Sequence, residues 1–335
     1  MDRFLNGLSL SFSRSFLAVA VSLAIIFAAV ASGYLRRYAL STPAVIGVYL
    51  AFTLLLILSL APAWQSSRRA KQTAAPYRTL LVFLSLWCTP YFLYAAGTGD
   101  FRWTALLKLL VIAALPVAIY SRFPARNTHA FGWQDACVAV LLIGFVLSGQ
   151  LKGIWNVPTN LDFMSRLFLI TVASWSWTFI RVIPELGYSF RLSGEVVKQA
   201  AINFALFAVI AIPSSLAMHF TRWNPHWPGI VQFLVDYLEI FLFIALLEEL
   251  FFRGFLQNLL SRTLRSWVAG QALVSVLFGL FHILHAPFPN WRYVALATVA
   301  GWFYGSAYRN SGSLLASSLV HAAVDTLWRT WLSGR

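Results

Sequence analysis

The chain has 335 residues, of which 59% are hydrophobic and only 11% are charged, and its mean hydropathy is +0.72. Soluble domains carry about 25% charged residues, so this composition excludes a water-soluble globular protein and a disordered one. Two cysteines and 19 glycines exclude a disulfide scaffold and a collagen-like repeat. We interpret the formal net charge of +14 as basic loops that set membrane topology and meet anionic headgroups, and we expect no nucleic-acid partner.

The hydropathy pattern predicts a membrane protein with many spans. A helix needs about 20 apolar residues to cross the hydrocarbon core of a bilayer, and a window of that length finds about eleven candidates. They cover residues 15–35, 43–63, 79–97, 103–120, 132–151, 163–184, 199–219, 228–250, 267–285, 291–308 and 313–332. The sequence therefore predicts an all-α fold, a polytopic transmembrane helical bundle in contact with the lipid bilayer.

A polar connection, PELGYSFRLSGEVVK, interrupts the apolar pattern at residues 184–198. We predict a domain boundary here, between an N-terminal transmembrane helical region of unknown role, 1–184, and a C-terminal catalytic bundle, 185–335. Nearly every ionisable residue inside an apolar run lies after this boundary. Arg166 and Arg181 precede it, and we interpret them as side chains that reach opposite membrane interfaces.

The first cluster of ionisable residues is Glu248, Glu249 and Arg253, at the end of the predicted span 228–250. A charge at membrane depth costs about 2.5–3.5 kcal/mol, so each one is a hypothesis of function. Glu249 and Arg253 are four residues apart and share a helical face, where they can pair. Glu248 points about 100° away. One carboxylate is then neutralised and the other is free to act as a general base.

Two further clusters follow on separate apolar runs. The first contains Phe278, His282 and His285, and the second contains His321 and Asp325, which are four residues apart and face the same neighbour. Counting about 1.5 Å per helical residue from the turn between the two helices places the first acidic cluster and His282 at similar depths, about 24–27 Å from that turn. The sequence therefore predicts that these groups meet. We expect His285 near the membrane interface.

Three motifs in this order carry a resemblance to a known family. They are EExxxR from Glu248 to Arg253, followed by RGF at 253–255, then FxxxH from Phe278 to His282, and HxxxD from His321 to Asp325. Together they resemble the CPBP family, which comprises the CAAX prenyl protease type II and Abi membrane proteins, including those that process bacteriocins. The resemblance covers about residues 185–335 and implies a CAAX-protease-like catalytic bundle.

The resemblance implies a glutamic intramembrane endopeptidase that needs no cofactor. Glu248 would be the general base that activates a water, and His282 would help to hold that water. Glu249 and Arg253 would form a structural pair that supports the site. The substrate would be a membrane-associated protein or peptide, and the protein would be a multi-pass component of the bacterial inner membrane.

The resemblance further implies that His321 and Asp325 face the scissile carbonyl and stabilise the oxyanion. Eukaryotic members of the family carry Asn at the last motif position, where an amide can donate a hydrogen bond, whereas many bacterial relatives have Asp as here. An ionised Asp325 would repel an oxyanion. We therefore expect Asp325 to orient His321 and to leave the donation to the imidazole.

Two alternatives remain open from the sequence. Glu248, His282 and His321 could instead bind zinc in a metalloprotease, although the chain has no HExxH helix and no separate base would remain. The buried charges could also line a pathway in a non-enzymatic immunity or transport protein. Transporters often show paired halves, and we find no matching halves here.

Overall fold

The computed structural model describes residues 14–35, 38, 40–65 and 77–334; residues 1–13 of the predicted N-terminal region lie outside them. The described residues form eleven helices, which confirms the predicted all-α bundle. In chain order the helices are α1 (Arg14–Leu35), α2 (Thr42–Gln65), α3 (Tyr77–Thr98), α4 (Trp103–Arg122), α5 (Trp133–Leu147), α6 (Asp162–Ile180), α7 (Gly194–Ala217), α8 (Ile230–Thr263), α9 (Trp267–Leu280), α10 (Trp291–Ser311) and α11 (Leu314–Trp331).

Each predicted span coincides with one of these helices. Six of the described helices are long and apolar enough to cross a membrane, namely α2, α3, α4, α6, α7 and α8. Shorter apolar stretches of 10–17 residues lie in α1, α5 and α9. The protein is therefore an integral membrane protein, as the composition predicts.

Contacts between residues divide the chain into two compact units. The first comprises Met1–Thr128 and Gly132–Val182, and the second comprises His129–Phe131 and Ile183–Arg335. Helices α1 to α6 belong to the first unit, whereas α7 to α11 belong to the second. All the candidate catalytic residues lie in the second unit.

A closed ion pair lies inside the first unit. Arg181, which directly follows α6, donates from Nε and Nη2 to the two carboxylate oxygens of Asp135, at 2.8 and 2.9 Å. The Tyr120 hydroxyl and the Gly132 amide donate to the same carboxylate. Both charged side chains are buried, so the interpretation of Arg181 as a side chain that reaches an interface is wrong. Four donors from the protein thus satisfy the Asp135 carboxylate, two of them from the guanidinium itself.

Helix α8 is longer than the sequence predicts. Its predicted end near residue 250 is wrong, because the helix continues to Thr263 through a π-helical segment, Leu250–Gln257. The polar side chains of this segment are buried against α10: Arg253 Nη2 donates to Gly301 O at 3.1 Å, and Gln257 Nε2 donates to Gly305 O at 3.0 Å. These side-chain bonds keep the polar turn inside the bundle. The acidic pair therefore lies in the middle of a helix.

Side chains also fix where the neighbouring helices begin and end. Helix α9 ends at Leu280, so the predicted end of this span at residue 285 is wrong and His282 lies in the turn after the helix. Pro287 and Pro289 in the following segment lack the amide that a helix requires. The side chain of Asn290 then accepts from the amide of Tyr293 and starts α10. At the next turn the side chain of Ser313 does the same for α11.

The polar connection between the predicted domains is bonded to the second unit. Tyr308 on α10 donates from its hydroxyl to Glu185 O at 3.1 Å, and the amide of Leu314 donates to Gly187 O at 2.9 Å. Gly187 has a φ of +72°, and a Cβ there would lie 2.8 Å from the Tyr308 ring, so this close approach requires glycine. At the other end of the unit, Thr221–Trp223 (β1) pairs antiparallel with Leu332–Gly334 (β2).

Replacing Arg181 by Met is expected to lower the free energy of unfolding by about 3–5 kcal/mol, because it leaves the Asp135 carboxylate buried without its cation. The measurement is equilibrium unfolding of the purified protein in detergent. The exposed Arg126, changed to Met, serves as the control and should stay within about 0.5 kcal/mol of the wild type. A loss of less than about 1 kcal/mol for Arg181→Met, the size of a surface pair, would contradict the prediction.

Candidate active site

The carboxylate of Glu249 lies at the centre of the candidate site. Its side chain is 0% exposed, and its two oxygens have different partners. Nδ1 of His321 donates to Oε1 at 2.9 Å, and Nε of Arg253 lies 3.2 Å from Oε2. The ion pair predicted from the spacing of Glu249 and Arg253 is present, and the contact with His321 extends it. Glu249 thus links α8 to α11.

Aromatic rings surround the guanidinium of Arg253. Its Cζ lies 4.8 Å from the ring centre of Phe278 and 5.5 Å from that of Tyr304. A cation over an aromatic face is attracted by the electrons of the ring. Together with the bond to Gly301 O, these contacts stabilise a charge that is fully buried.

The imidazole of His321 packs against two aromatic rings and bonds to Glu249. The ring of Tyr304 stacks on it at 4.6 Å between centroids, and the edge of Phe278 contacts it at 5.8 Å. Nδ1 donates to Glu249. Nε2 therefore lies on the side of the ring that faces away from Glu249. There Nε2 lies 3.6 Å from Asp325 Oδ2 and 3.9 Å from Glu248 Oε2. Both distances exceed that of a hydrogen bond, so charge attraction relates the three groups.

The two carboxylates beside Nε2 are open to the surroundings. The side chain of Glu248 is 32% exposed and that of Asp325 is 38% exposed, whereas Glu249 is 0% exposed. Two adjacent glutamates therefore occupy different environments, as the helical geometry predicts. Of these three carboxylates, Glu248 and Asp325 are accessible to a reactant.

His282 lies beside this cluster, in the turn after α9. Its Nδ1 donates to Phe278 O at 2.8 Å, because a carbonyl can only accept, and this leaves Nε2 without the proton. Its ring contacts Phe278 at 5.0 Å and Tyr293 at 4.7 Å. His282 also interacts electrostatically with His321 and Asp325. The structure therefore places His282 beside the cluster formed by Glu248, His321 and Asp325. Within that cluster, Nε2 of His321 lies 3.9 Å from Glu248 Oε2.

Two tyrosines of the site, Tyr293 and Tyr304, are not predicted from the sequence. Tyr304 stacks on His321, and Tyr293 packs against His282 and His285. Aromatic residues make up 16% of the chain, so one more tyrosine in an apolar run carries no signal. Only the packing of α10 against α9 and α11 reveals their position. His285 is exposed.

The zinc alternative requires Glu248, His282 and His321 to surround one metal ion. Within the part of the chain that the structure describes, no group of three or more His, Cys, Asp or Glu side chains is arranged to hold a metal ion.

The C-terminal region matches a family model. The model describes the type II CAAX prenyl endopeptidase Rce1-like family and matches residues 230–327. This segment is an Rce1-like domain. It runs from α8 into α11 and contains all three motifs, in agreement with the resemblance to the CPBP family. The Rce1-like domain is that of a membrane protease. Searches of curated proteins and of solved structures gave no match.

Replacing Glu249 by Gln is expected to destabilise the Rce1-like domain by about 3–5 kcal/mol, because Arg253 and His321 lose their common anion. The same change at the neighbouring, partly exposed Glu248 should alter stability by no more than about 0.5 kcal/mol. Unfolding of both variants in detergent measures the difference. Equal losses for the two variants would contradict the distinct environments.

Proposed function

We propose that the protein is a glutamic endopeptidase that hydrolyses a peptide bond within the membrane, and that residues 185–335 carry the reaction. The observation that supports it is the position of Nε2 of His321 between two accessible carboxylates, Glu248 and Asp325. Behind them, the buried pair of Glu249 and Arg253 keeps the imidazole in one orientation. A general base, a polarising group and a fixed support are what amide hydrolysis requires.

In the proposed reaction, Glu248 accepts a proton from a water molecule, and His282 helps to hold that water through its unprotonated Nε2. The water oxygen adds to the scissile carbonyl carbon, and the carbonyl oxygen becomes an oxyanion. When this intermediate collapses, the carbon–nitrogen bond breaks and the amine takes the proton from Glu248. The products are a new carboxyl terminus and a new amino terminus, and Glu248 returns to its ionised form.

The role we assign to His321 follows from its support. Glu249 holds Nδ1, so a proton at Nε2 is directed toward the side where the oxyanion forms. Preorganised donors of this kind contribute about 10²–10³-fold to the rate. Asp325, at 3.6 Å from Nε2, orients the imidazole and favours its charged form.

We further propose that the substrate is a membrane-associated protein or peptide and that the enzyme resides in the inner membrane of a bacterium. Helix α8, which carries Glu248, and helix α9, which directly precedes the turn with His282, are apolar, and α8 is long enough to cross a bilayer. This supports a bond cleaved at or within the membrane. We assign no role in substrate recruitment to residues 1–184, because neither their charge nor a motif indicates one.

Membranes that contain the wild type are expected to show protein termini that membranes with Glu248→Gln lack. The glutamine is close in shape to the glutamate but cannot accept the proton of the water. The measurement is mass spectrometry of terminal peptides from native-host membranes at equal expression of both proteins. Glu195→Gln, which changes an exposed glutamate of the same unit, is the matched control and should give the wild-type pattern.

The outcome that would contradict the proposal is a set of termini common to the wild type and Glu248→Gln, with both proteins folded. That result would favour the non-enzymatic immunity or transport function, because the buried charges would then act without hydrolysis.

Chelation is expected to leave the cleavage unchanged. The proposed reaction uses a glutamate as the base, and the cluster lacks a metal-holding arrangement among the described side chains. The measurements are the zinc content of the purified protein and the cleavage rate after dialysis against a chelator. Stoichiometric zinc, together with a loss of cleavage that added zinc restores, would favour the metalloprotease alternative.

A further inference from the structure

Asp325 creates a chemical difficulty in the proposed site. It is one of two accessible carboxylates there, and an ionised carboxylate can only accept hydrogen bonds. It therefore cannot donate to an oxyanion, and its charge repels one. His321 supplies a single donor on this side, because its Nδ1 is bonded to Glu249. Acyl-transfer sites commonly stabilise the oxyanion with more than one donor, so a second donor is needed on this side.

Tyr293 lies beside the two histidines that follow α9. It is half-buried, and its ring packs at 4.7 Å from that of His282 and at 5.0 Å from that of His285. The charges of Asp325 and Glu248 both act on its phenol group. The side chain therefore packs against the histidine turn after α9, within electrostatic range of the two carboxylates that face Nε2 of His321.

The backbone of Tyr293 is also fixed. Its amide donates to the side chain of Asn290 at 3.0 Å, and the side-chain amide of Asn290, which is buried, donates to Ala286 O. Tyr293 thus lies in the first turn of α10, at a position set by the cap of that helix. Phe220 supports the ring from another side at 5.3 Å. A phenol held by three rings and a helix cap needs little rearrangement when a substrate enters.

We infer that Tyr293 is a further catalytic residue, whose hydroxyl donates a hydrogen bond to the oxyanion that forms at the scissile carbonyl. The inference rests on the proposed function. The hydroxyl keeps its proton throughout, so the step adds no covalent change to the reaction. Tyr293 supplies the neutral donor that Asp325 cannot supply.

Tyr304 is the other tyrosine near the site, and its position suits a different task. It is 1% exposed and stacks face to face on His321 at 4.6 Å. Its ring therefore supports the imidazole from the buried side. Of these two tyrosines, Tyr293 is the one that a substrate can reach.

The test is a double-mutant cycle with Tyr293→Phe and Asp325→Asn, assayed in detergent with an internally quenched peptide that ends in a farnesylated CAAX sequence. Phe keeps the ring contacts and removes only the hydroxyl. We expect Tyr293→Phe to lower kcat about 10²-fold with KM nearly unchanged, as for the loss of one oxyanion donor. Asn at position 325 brings a donor in place of a charge, so the double variant should recover at least about tenfold of that loss in kcat.

Two controls separate this inference from the proposed function. Tyr308→Phe removes a phenol of the same domain that bonds only to backbone carbonyls of residues 185 and 186, and it should keep the wild-type kcat. Glu248→Gln should abolish cleavage. Each variant is compared by its unfolding temperature and by the folded fraction on gel filtration, and kcat is expressed per folded molecule.

The inference is overturned if Tyr293→Phe keeps kcat close to the wild type while Glu248→Gln is inactive, since the assay then reports on this site and the phenol has no part in it. It is equally overturned if Tyr293→Phe changes only KM, or if Asp325→Asn gives no recovery. Cleavage by Glu248→Gln at the wild-type rate, or no cleavage by the wild type, would overturn the proposed function and this inference with it.

Discussion

The contact of the Glu249 carboxylate with Arg253 on one oxygen and His321 on the other is the constraint on which the second unit depends. An ionised group deep in an apolar bundle is costly unless other charges and hydrogen bonds satisfy it. Arg253 in turn donates from Nη2 to Gly301 O and lies over aromatic faces. Arg253, Glu249 and His321 thus form a buried network of charged groups that connects α8 to α11. It sets the distance between the two helices and the plane of the imidazole.

This constraint explains why two adjacent glutamates differ in exposure. With Glu249 turned inward to its partners, the helix directs Glu248, about 100° away, to the accessible side. The π-helical segment Leu250–Gln257 directly follows, and its wider turns let Arg253 and Gln257 reach backbone carbonyls of α10. π-helical turns within α-helices are frequent at functional sites. Here the segment has a definite structural consequence, because it keeps α8 buried for the turns that support the acidic pair.

Local spacing determined which parts of the site could be predicted from the sequence. The i, i+4 relation of Glu249 to Arg253 and of His321 to Asp325 is fixed by helix geometry, and the structure has both contacts. The contact between Glu249 and His321 spans 72 positions and depends on the packing of α8 against α11, which spacing does not reveal. The continuation of α8 beyond residue 250 was missed for the same reason, because buried polar side chains resemble a helix end in a hydropathy profile.

The first unit illustrates the same limit. The sequence suggested that nearly all the ionisable residues inside apolar runs lie in the C-terminal region, yet Arg181 and Asp135 form a closed pair in the first unit. A lone arginine in an apolar run is compatible with a side chain that reaches the interface, and its partner lies 46 positions away. The family match covers 230–327 and gives no information on this pair. Its four donors on one carboxylate satisfy both charges internally, which is typical of a structural role.

The support of the candidate residues divides the site into two halves. Glu248, Glu249, His321 and Asp325 lie inside helices, where backbone hydrogen bonds and the buried charges fix their directions before any substrate arrives. His282 and Tyr293 instead flank the segment between α9 and α10, on a turn and on a first helical turn. Changes in that segment can therefore move one wall of the site without disturbing the base and the imidazole. Since loops carry specificity on rigid scaffolds, the segment between His282 and Tyr293 is where differences in substrate choice are expected to arise.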